Sequence, residues 1–227
     1  MSPIARTNDA APQGPADPPL DCPLCPRLVD LRRTLSTAHP DWHNAPVASF
    51  GDPAPKLLVV GLAPGMKGAN RTGRPFTGDY AGDLLFETMI EYGFATGRYL
   101  ARPDDGLVLS AALITNAVRC LPPENKPIGS EIKACRPFLL ATLDAHPTLR
   151  AVLLLGRIAH ETFLSAIGER RAAHPFSHGA RHEIPGTGLV LFDSYHCSRY
   201  NTNTGRLTPR MFKAVFADIR DYLSTVN

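Results

Sequence analysis

The sequence lacks any apolar run that could cross a membrane, because no stretch approaches the roughly 18 consecutive apolar residues of a spanning helix. Residues 1–20 also lack the apolar segment of a secretory signal, so we expect a cytoplasmic protein without membrane contact. Thiols stay reduced in that compartment, where disulfides are rare. The five cysteines of the chain therefore need an explanation other than disulfide bonding.

A large excess of charge of one sign is absent as well. The formal net charge is +3 at pH 7, which permits a polyanionic partner without arguing strongly for one. The glycine-rich stretch from Gly61 to Gly68 follows neither the G-x-x-x-x-G-K-[ST] phosphate loop nor the G-x-G-x-x-G dinucleotide pattern. The common nucleotide-binding motifs therefore do not account for these glycines.

Four short apolar runs predict the strands of one α/β domain, and 44% hydrophobic residues in 227 suffice for its core. Helical patterns alternate with these runs, which favours a mostly parallel, four-stranded sheet with helices on both faces. The runs lie at 57–61, within 107–118, at 151–156 and at 189–192, and the helices begin near Cys22, Leu84, Ser130, Ile158 and Pro209. The polar segment 174–188 is predicted to be irregular.

Proline-rich residues 1–20, with few large apolar side chains, predict a disordered leader, and residues 21–227 a single domain. Ligand sites in parallel sheets form at the carboxyl ends of strands. The candidate loops are accordingly 62–79, 116–128 and 194–206.

Four cysteines form a candidate metal site. Cys22 and Cys25 make a C-x-x-C at the start of a helix, while Cys120 follows a strand and Cys135 lies inside a helix. Four thiolates can hold zinc or a [4Fe–4S] cluster, and the wide separation of the last two favours the cluster. A redox C-x-x-C with two buried structural thiols is the alternative that spacing leaves open.

Phe76 stands out as the lone aromatic residue of a polar, glycine-rich loop. It could stack on a nucleobase, or it could pack the loop onto the sheet. The loop sequence alone supports both interpretations.

Three segments, one in each candidate loop, together resemble the uracil-DNA glycosylase superfamily. They read GLAPGMKGANRTGRPFTGD at 61–79, NAVRCLPPENKP at 116–127 and HCSRYNTNTGRLT at 196–208. The nearest branch is the iron–sulfur type-b, or family 5, uracil-DNA glycosylases, and the resemblance runs from Cys22 to the C-terminus. It implies a three-layer α/β/α fold and a structural [4Fe–4S] cluster on Cys22, Cys25, Cys120 and Cys135.

The resemblance also implies a function, the hydrolysis of the N-glycosidic bond of uracil in DNA to leave an abasic site. Other deaminated bases such as hypoxanthine or xanthine are further candidate substrates. A non-catalytic iron–sulfur protein that binds nucleic acid or a damaged base is the alternative. The expected partner is DNA, and the expected state is a monomer.

Residue by residue, the resemblance places catalysis at Asp79, His196 and Asn116. Asp79 would activate water and face the cationic sugar, His196 would hydrogen-bond the base O2, and Asn116 would read the base edge. Their ordinary alternatives are a helix cap, a structural histidine and a turn residue, and Asp83 is a weaker rival for the acidic role. The substrate-binding set would be Gly61, Leu62, Ala63, Pro64, Gly65, Phe76 and Asn116.

Polar residues flanking these loops suit DNA contacts. The candidates are Arg71, Arg74, Ser198, Arg199, Asn201 and Arg206, with Arg119 and Lys126 extending the basic surface. The chain departs from the usual GLAPAAHG pattern at Gly65, Met66 and Lys67, and Cys197 replaces the proline of the usual HPS motif. These departures place the range of excised bases in doubt more than the reaction class.

Overall fold

A six-stranded sheet runs through the computed structural model, which describes residues 16–226. The sheet order is β1-β5-β2-β6-β8-β7, and β3 pairs with β4 in a separate two-stranded ribbon. The strands are β1 (Phe50–Gly51), β2 (Leu57–Gly61), β3 (Ala95–Thr96), β4 (Val108–Leu109), β5 (Ala112–Asn116), β6 (Ala151–Leu155), β7 (Arg181–Ile184) and β8 (Leu189–Ser194).

The four central strands β5, β2, β6 and β8 are parallel and buried along their whole length. Parallel strands covered on both faces read as continuous apolar runs, which is why the sequence revealed them. The predicted count of four strands is nevertheless wrong. Two short antiparallel edge strands, β1 and β7, complete the sheet.

The missed edge strands carry no apolar run. β1 has two residues, one of them glycine, and β7 reads Arg-His-Glu-Ile inside the segment that was predicted to be irregular. Only one face of an edge strand meets the core, so polar side chains are tolerated there. The predicted strand region 107–118 is also divided, into β4 and β5.

Helices cover both faces of the sheet, which gives three layers as expected. The helices are α1 (Pro26–Ala38), α2 (Ala69–Thr72), α3 (Tyr80–Glu91), α4 (Gly129–Ala145), α5 (Arg157–Ile167), α6 (Arg199–Asn203) and α7 (Pro209–Thr225). One core joins the sheet to α3 and α7, and a second joins it to α4 and α5. Within residues 16–226, no helix is long and apolar enough to cross a bilayer.

A buried arginine fastens the start of the described chain to the domain. The Arg119 guanidinium donates to the Asp17 carboxylate at 2.6 Å and to the Ser49 hydroxyl at 2.9 Å. Ala16 and Asp17 are held by contacts with Arg119, while residues 1–15 of the predicted disordered leader lie outside the described residues. Arg119 also cannot extend a basic surface, because its side chain is fully buried.

A histidine–aspartate cluster ties α5 to β7 and β8. His160 Nδ1 lies 2.7 Å from Asp193 Oδ1, and His160 Nε2 lies 2.8 Å from the His174 carbonyl oxygen. His182 Nε2 lies 3.3 Å from Asp193 Oδ2. Both ring nitrogens of His160 thus face acceptors, which an imidazolium satisfies best. Burial is the largest single effect and opposes that charge, but the hydrogen bond to Asp193, the Asp193 charge, the His174 carbonyl and Glu161 together outweigh it and raise the pKa of His160.

Asp193→Asn should therefore destabilise the fold in a pH-dependent way. A raised histidine pKa adds stability that is complete below the unfolded value of about 6.5 and is lost as pH rises through the folded value. We expect the free energy of unfolding to fall by about 3 kcal/mol near pH 6 and by clearly less near pH 9. Urea unfolding at the two pH values measures this, and equal losses would contradict the charged pairing.

Candidate active site and cysteine centre

The carboxyl ends of β2, β5 and β8 open into a cleft of about 830 Å³. All three candidate loops contribute to its wall, as parallel strands with one common edge require. Its lining includes most of the residues proposed for catalysis and base binding, namely Leu62, Ala63, Gly65, Phe76, Asp79, Asn116 and His196. Gly61 lies behind this wall, and Pro64 is buried beneath the loop.

At the rear of the cleft, the side chains of Asn116 and Phe76 both come close to the backbone of Gly61. Gly61 lies beside Asn116 in the β2–β5 ladder. A Cβ atom added to Gly61 would collide with Asn116 Oδ1 and would lie 2.7 Å from Cζ of Phe76. Glycine is required here because it lets the amide and the aromatic ring meet over the strand.

The structure places Phe76 both in a core cluster and in the wall of the cleft. Its side chain belongs to the apolar core on the α3 face and is only 7% exposed. The ring also lines the cleft, with its centroid 6.0 Å from that of His196 and the two planes 28° apart. Phe76 therefore packs the loop onto the sheet, and its ring forms part of the cleft wall; stacking on a base stays a prediction.

Asp79 is a helix cap and a cleft residue at once. Its Oδ1 accepts from the Ala81 amide at 3.1 Å at the start of α3. Its Oδ2 faces Gly65 and Gly68, where a Cβ atom would crowd it. Burial raises the pKa of Asp79, although the capping amides act in the opposite direction. One carboxylate oxygen is thus committed to the helix, and the other faces the glycine-rich loop.

His196 lies two residues beyond β8 and faces Phe76. Burial lowers its pKa to about 4, so the ring is neutral at pH 7. Its carbonyl oxygen accepts from Asn201 Nδ2 at 2.8 Å. Ser198 Oγ accepts from the Asn201 amide and caps α6. Asn201 and Ser198, both proposed as DNA contacts, therefore build the turn that holds His196.

Cations surround the mouth of the cleft. Lys67 and Arg199 line it, and the Arg199 guanidinium lies 5.2 Å from the Tyr80 ring centroid. Arg71 and Arg206 are exposed, the latter above the Tyr195 ring. These side chains are exposed or line the cleft, and their role as DNA contacts stays a prediction.

Arg74 is a correction to the predicted DNA-binding set. Its guanidinium makes two hydrogen bonds to the Asp105 carboxylate, at 2.7 and 2.8 Å, and both side chains are at most 5% exposed. It also lies over the Phe86 and Tyr99 rings. The bidentate pair strongly lowers the pKa of Asp105. Arg74 is therefore a structural brace, meaning that it stabilises the fold through its buried ion pair with Asp105. A sequence does not show whether an arginine is paired in this way or free.

Two tyrosines near the site were not among the residues predicted from the sequence. Tyr200 follows Arg199 on α6 and is 72% exposed. Tyr99 lies outside all three candidate loops, yet its hydroxyl contacts the backbone of Phe76. Position in a motif could have suggested Tyr200, whereas only tertiary packing reveals Tyr99.

The cysteines Cys22, Cys25, Cys120 and Cys135 line one apolar cavity between α1, α4 and the end of the 116–120 loop. Burial raises the pKa of Cys25 to about 11 and that of Cys120 to about 12, and the neighbouring thiols add to both shifts. The Arg119 amide donates to Cys135 Sγ at 3.3 Å. The fifth cysteine, Cys197, is buried apart from them, with its thiol donating to the Ala81 carbonyl.

The spread of these sulfur atoms bears on what they could hold. Among residues 16–226, no three of them lie within 4.8 Å of one another. A tetrahedral zinc ion with Zn–S bonds of about 2.3 Å keeps its sulfur ligands only about 3.8 Å apart. As the structure places them, the sulfur atoms are thus more widely spread than the ligands of one tetrahedral zinc ion, and the group that they would hold stays a prediction.

The cysteine cavity supports the rear of the cleft. Val118 and Ala63 pack into the same apolar cluster as Cys25, Cys120 and Cys135. The Val118 amide donates to the Leu62 carbonyl oxygen at 2.9 Å. The cysteine cluster is thus in direct contact with the loop that lines the cleft.

Comparison with known proteins agrees with this geometry. Residues 48–220 match the family described as the uracil DNA glycosylase superfamily. The chain therefore belongs to the uracil-DNA glycosylase superfamily, which confirms the resemblance carried by the three loop segments.

Individual relatives indicate to which branch of the superfamily the chain belongs. The chain is 45% identical to a type-5 uracil-DNA glycosylase of Thermus thermophilus, over 88% of this chain and 92% of the relative. It is 39% identical to a type-5 enzyme of Pyrobaculum aerophilum, over 83% of each chain. A type-4 uracil-DNA glycosylase of Sulfurisphaera tokodaii is 29% identical, over 74% of this chain and 72% of the relative. The family-5 assignment is confirmed by these similarities.

Arg74→Met should destabilise the protein, because it leaves the Asp105 carboxylate buried without its partner. We expect the free energy of unfolding to fall by about 3 kcal/mol at neutral pH, measured by urea denaturation. Arg71→Met, at an exposed arginine three residues earlier, is the matched control and should change stability by less than about 0.5 kcal/mol. Equal stability of the two variants would show that Arg74 is not a brace.

Proposed function

We propose that this protein removes uracil from DNA by hydrolysing the N-glycosidic bond, leaving an abasic site. The observation that carries the proposal is the convergence of Phe76, Asp79, Asn116 and His196 on one cleft. The names of the type-5 relatives support the same activity. Other deaminated bases, such as hypoxanthine and xanthine, are additional candidate substrates.

The cleft suits a base that has been rotated out of the duplex. Enzymes that act on a base inside DNA extrude it into a pocket and read its edge there. The Phe76 ring offers a stacking surface, and the Asn116 amide offers one donor and one acceptor to the O4/N3 edge of a pyrimidine. Both side chains lie against the backbone of Gly61, at the rear of the cleft.

Bond cleavage develops positive charge on the sugar and negative charge on the departing base. The Asp79 carboxylate would orient or deprotonate the attacking water and stabilise the cationic sugar. A raised carboxyl pKa strengthens the group as a base. The neutral His196 ring would donate to the base O2 as charge collects there, and it needs no proton uptake to do so.

The DNA backbone would lie along the cationic mouth of the cleft. Lys67, Arg71, Arg199 and Arg206 would contact phosphates and set the register without reading sequence. The exposed Tyr200 ring beside the cleft is suited to fill the space that the extruded base leaves in the stack. The protein would act on this substrate as a monomer.

For the cysteine centre, we propose a [4Fe–4S] cluster held by Cys22, Cys25, Cys120 and Cys135. The wide spread of the four sulfur atoms supports a cluster over a single zinc ion. When bound, such a cluster supplies a covalent link between α1, the 116–120 loop and α4. Val118 and Ala63 pack against the cysteines, so the bound cluster would also help to fix the position of the loop that lines the base pocket.

Incubation with an oligonucleotide carrying one uracil, followed by hot alkali, tests the proposed activity. Strand scission at the uracil position is expected, with no scission of the matching cytosine oligonucleotide. Hypoxanthine and xanthine oligonucleotides in the same assay define the substrate range. DNA binding without scission on any of these substrates would instead identify a non-catalytic damaged-base binder.

Asp79→Asn should lower the single-turnover rate of uracil excision by at least about tenfold, or about 1.4 kcal/mol in the barrier. The amide retains the helix cap but loses the negative charge. Asp83→Asn, four residues on in α3 and also at the cleft wall, should have a smaller effect. If Asp83→Asn is the more damaging change, the acidic role belongs to Asp83.

His196→Ala should likewise slow excision by at least about tenfold, with DNA affinity little changed. Because burial lowers the pKa of His196 to about 4, the histidine does not titrate between pH 5 and 8. The pH–rate profile of the variant over that range should therefore keep the shape of the wild-type profile. If the variant's pH–rate profile lacks a rate change near pH 6 that the wild-type profile shows, His196 acts as a charged group.

Cys120→Ser should reduce brown colour, acid-labile sulfide and soluble yield together, because one ligand of the cluster is lost. Cys197→Ser is the matched control at a cysteine outside the cavity, and it should retain colour and sulfide. Unchanged colour and stability of Cys120→Ser would show that Cys120 is not a ligand.

A further inference from the structure

Phe76 adopts a backbone conformation that an aromatic residue rarely takes. Its φ is +55°, in the left-handed region. A side chain with a Cβ atom is strained there, and such a residue keeps this conformation only where its surroundings enforce it. The ring that lines the base pocket is therefore set by contacts outside the residue itself.

The Tyr99 hydroxyl supplies two of these contacts. It donates to the Phe76 carbonyl oxygen at 3.2 Å and accepts from the Gly78 amide at 3.3 Å. It thereby bridges both sides of Thr77 in the turn that leads into Asp79. Gly82 makes the approach feasible, since a Cβ atom there would collide with the Phe76 carbonyl oxygen and the Tyr99 hydroxyl.

The Tyr99 side chain is packed between neighbouring side chains and does not line the cleft. Its ring packs on Phe86 with centroids 4.6 Å apart, and the Arg74 guanidinium lies 5.9 Å from its centroid. Burial raises the pKa of Tyr99 to about 12, so the hydroxyl keeps its proton at working pH. Tyr99 is not among the residues that line the cleft. It can therefore affect a bound base only through the turn that it holds.

We propose that Tyr99 is a positioning residue for base excision, which fixes Phe76 in its left-handed conformation and so sets the stacking surface of the pocket. This inference rests on the proposed glycosylase function. Removing the hydroxyl takes away the hydrogen bond to the Phe76 carbonyl oxygen. The strained backbone of Phe76 can then relax. The Phe76 ring as a result moves out of its stacked position beside His196.

Tyr99→Phe in the full-length, cluster-containing protein is the first test, with Tyr222→Phe as the matched control. Tyr222 lies on α7 and loses the same atom from a ring that packs on Phe192. For Tyr99→Phe we expect the maximal single-turnover rate to fall by about tenfold, while the enzyme concentration for half-maximal rate changes by less than about twofold. Inhibition by free uracil should weaken in parallel. Wild-type values for both would overturn the proposal.

A double-mutant cycle distinguishes action through Phe76 from a general structural effect. If Tyr99 acts through the Phe76 ring, adding Tyr99→Phe to Phe76→Ala should lower the rate by no more than about a further twofold. A full additional loss in the double variant would show that Tyr99 acts independently of Phe76.

Hydrogen exchange tests the same contact without relying on catalysis. The Gly78 amide donates to Tyr99, so peptides covering 76–79 should exchange faster in Tyr99→Phe and at the wild-type rate in Tyr222→Phe. Unchanged exchange in Tyr99→Phe would overturn the positioning role even if the protein excises uracil. Faster exchange in a protein that excises no base would instead reject the proposed function and leave Tyr99 as the restraint on the turn.

Discussion

The parallel pairing of β2 with β5 is the constraint on which the rest of the site depends. It places Gly61 beside Asn116 at the carboxyl edge of the sheet, where the missing side chain of Gly61 leaves room for the Phe76 ring. The amide and the ring thereby become neighbours although 40 positions separate them in sequence. Backbone hydrogen bonds continue the pairing past the strands, from Ala117 and Val118 to Gly61 and Leu62. The pocket wall is thus a continuation of the sheet, held by the same kind of backbone hydrogen bonds.

Burial gives the two proposed catalytic groups different protonation behaviour. The same loss of solvent raises the carboxyl pKa of Asp79 and lowers the imidazole pKa of His196, because each shift favours the neutral form. Asp79 keeps two capping amides, which favour its ionised form, whereas His196 has burial alone as the cause of its shift. Burial thus makes the Asp79 carboxyl group a weaker acid and keeps the His196 ring neutral at pH 7. The helix cap does not exclude the proposed catalytic role of Asp79, since the capping carboxylate also lines the cleft.

Much of this arrangement was predictable from the sequence, but only where local pattern suffices. Continuous apolar runs revealed the buried strands, and the loops after them marked the cleft. The edge strands at Phe50–Gly51 and Arg181–Ile184 were missed because half-exposed strands need no apolar run. Arg74 was assigned to DNA because a sequence does not show that Asp105 lies opposite it. Tyr99 was missed because its hydroxyl acts on backbone atoms more than 20 positions away.

The sequence by itself determined the family, the order of the three loop segments and the cysteines that could bind a metal group. These properties depend on residue identity and spacing along the chain. Only the tertiary structure decided which polar side chains are buried, how far apart the cysteine sulfurs lie and which contacts hold Phe76 in its strained conformation. Those properties depend on distances between residues remote in sequence, and packing sets such distances to within tenths of an ångström. Solvent exclusion, which shifts the pKa of Asp79 and His196, likewise exists only once the surrounding chain has folded.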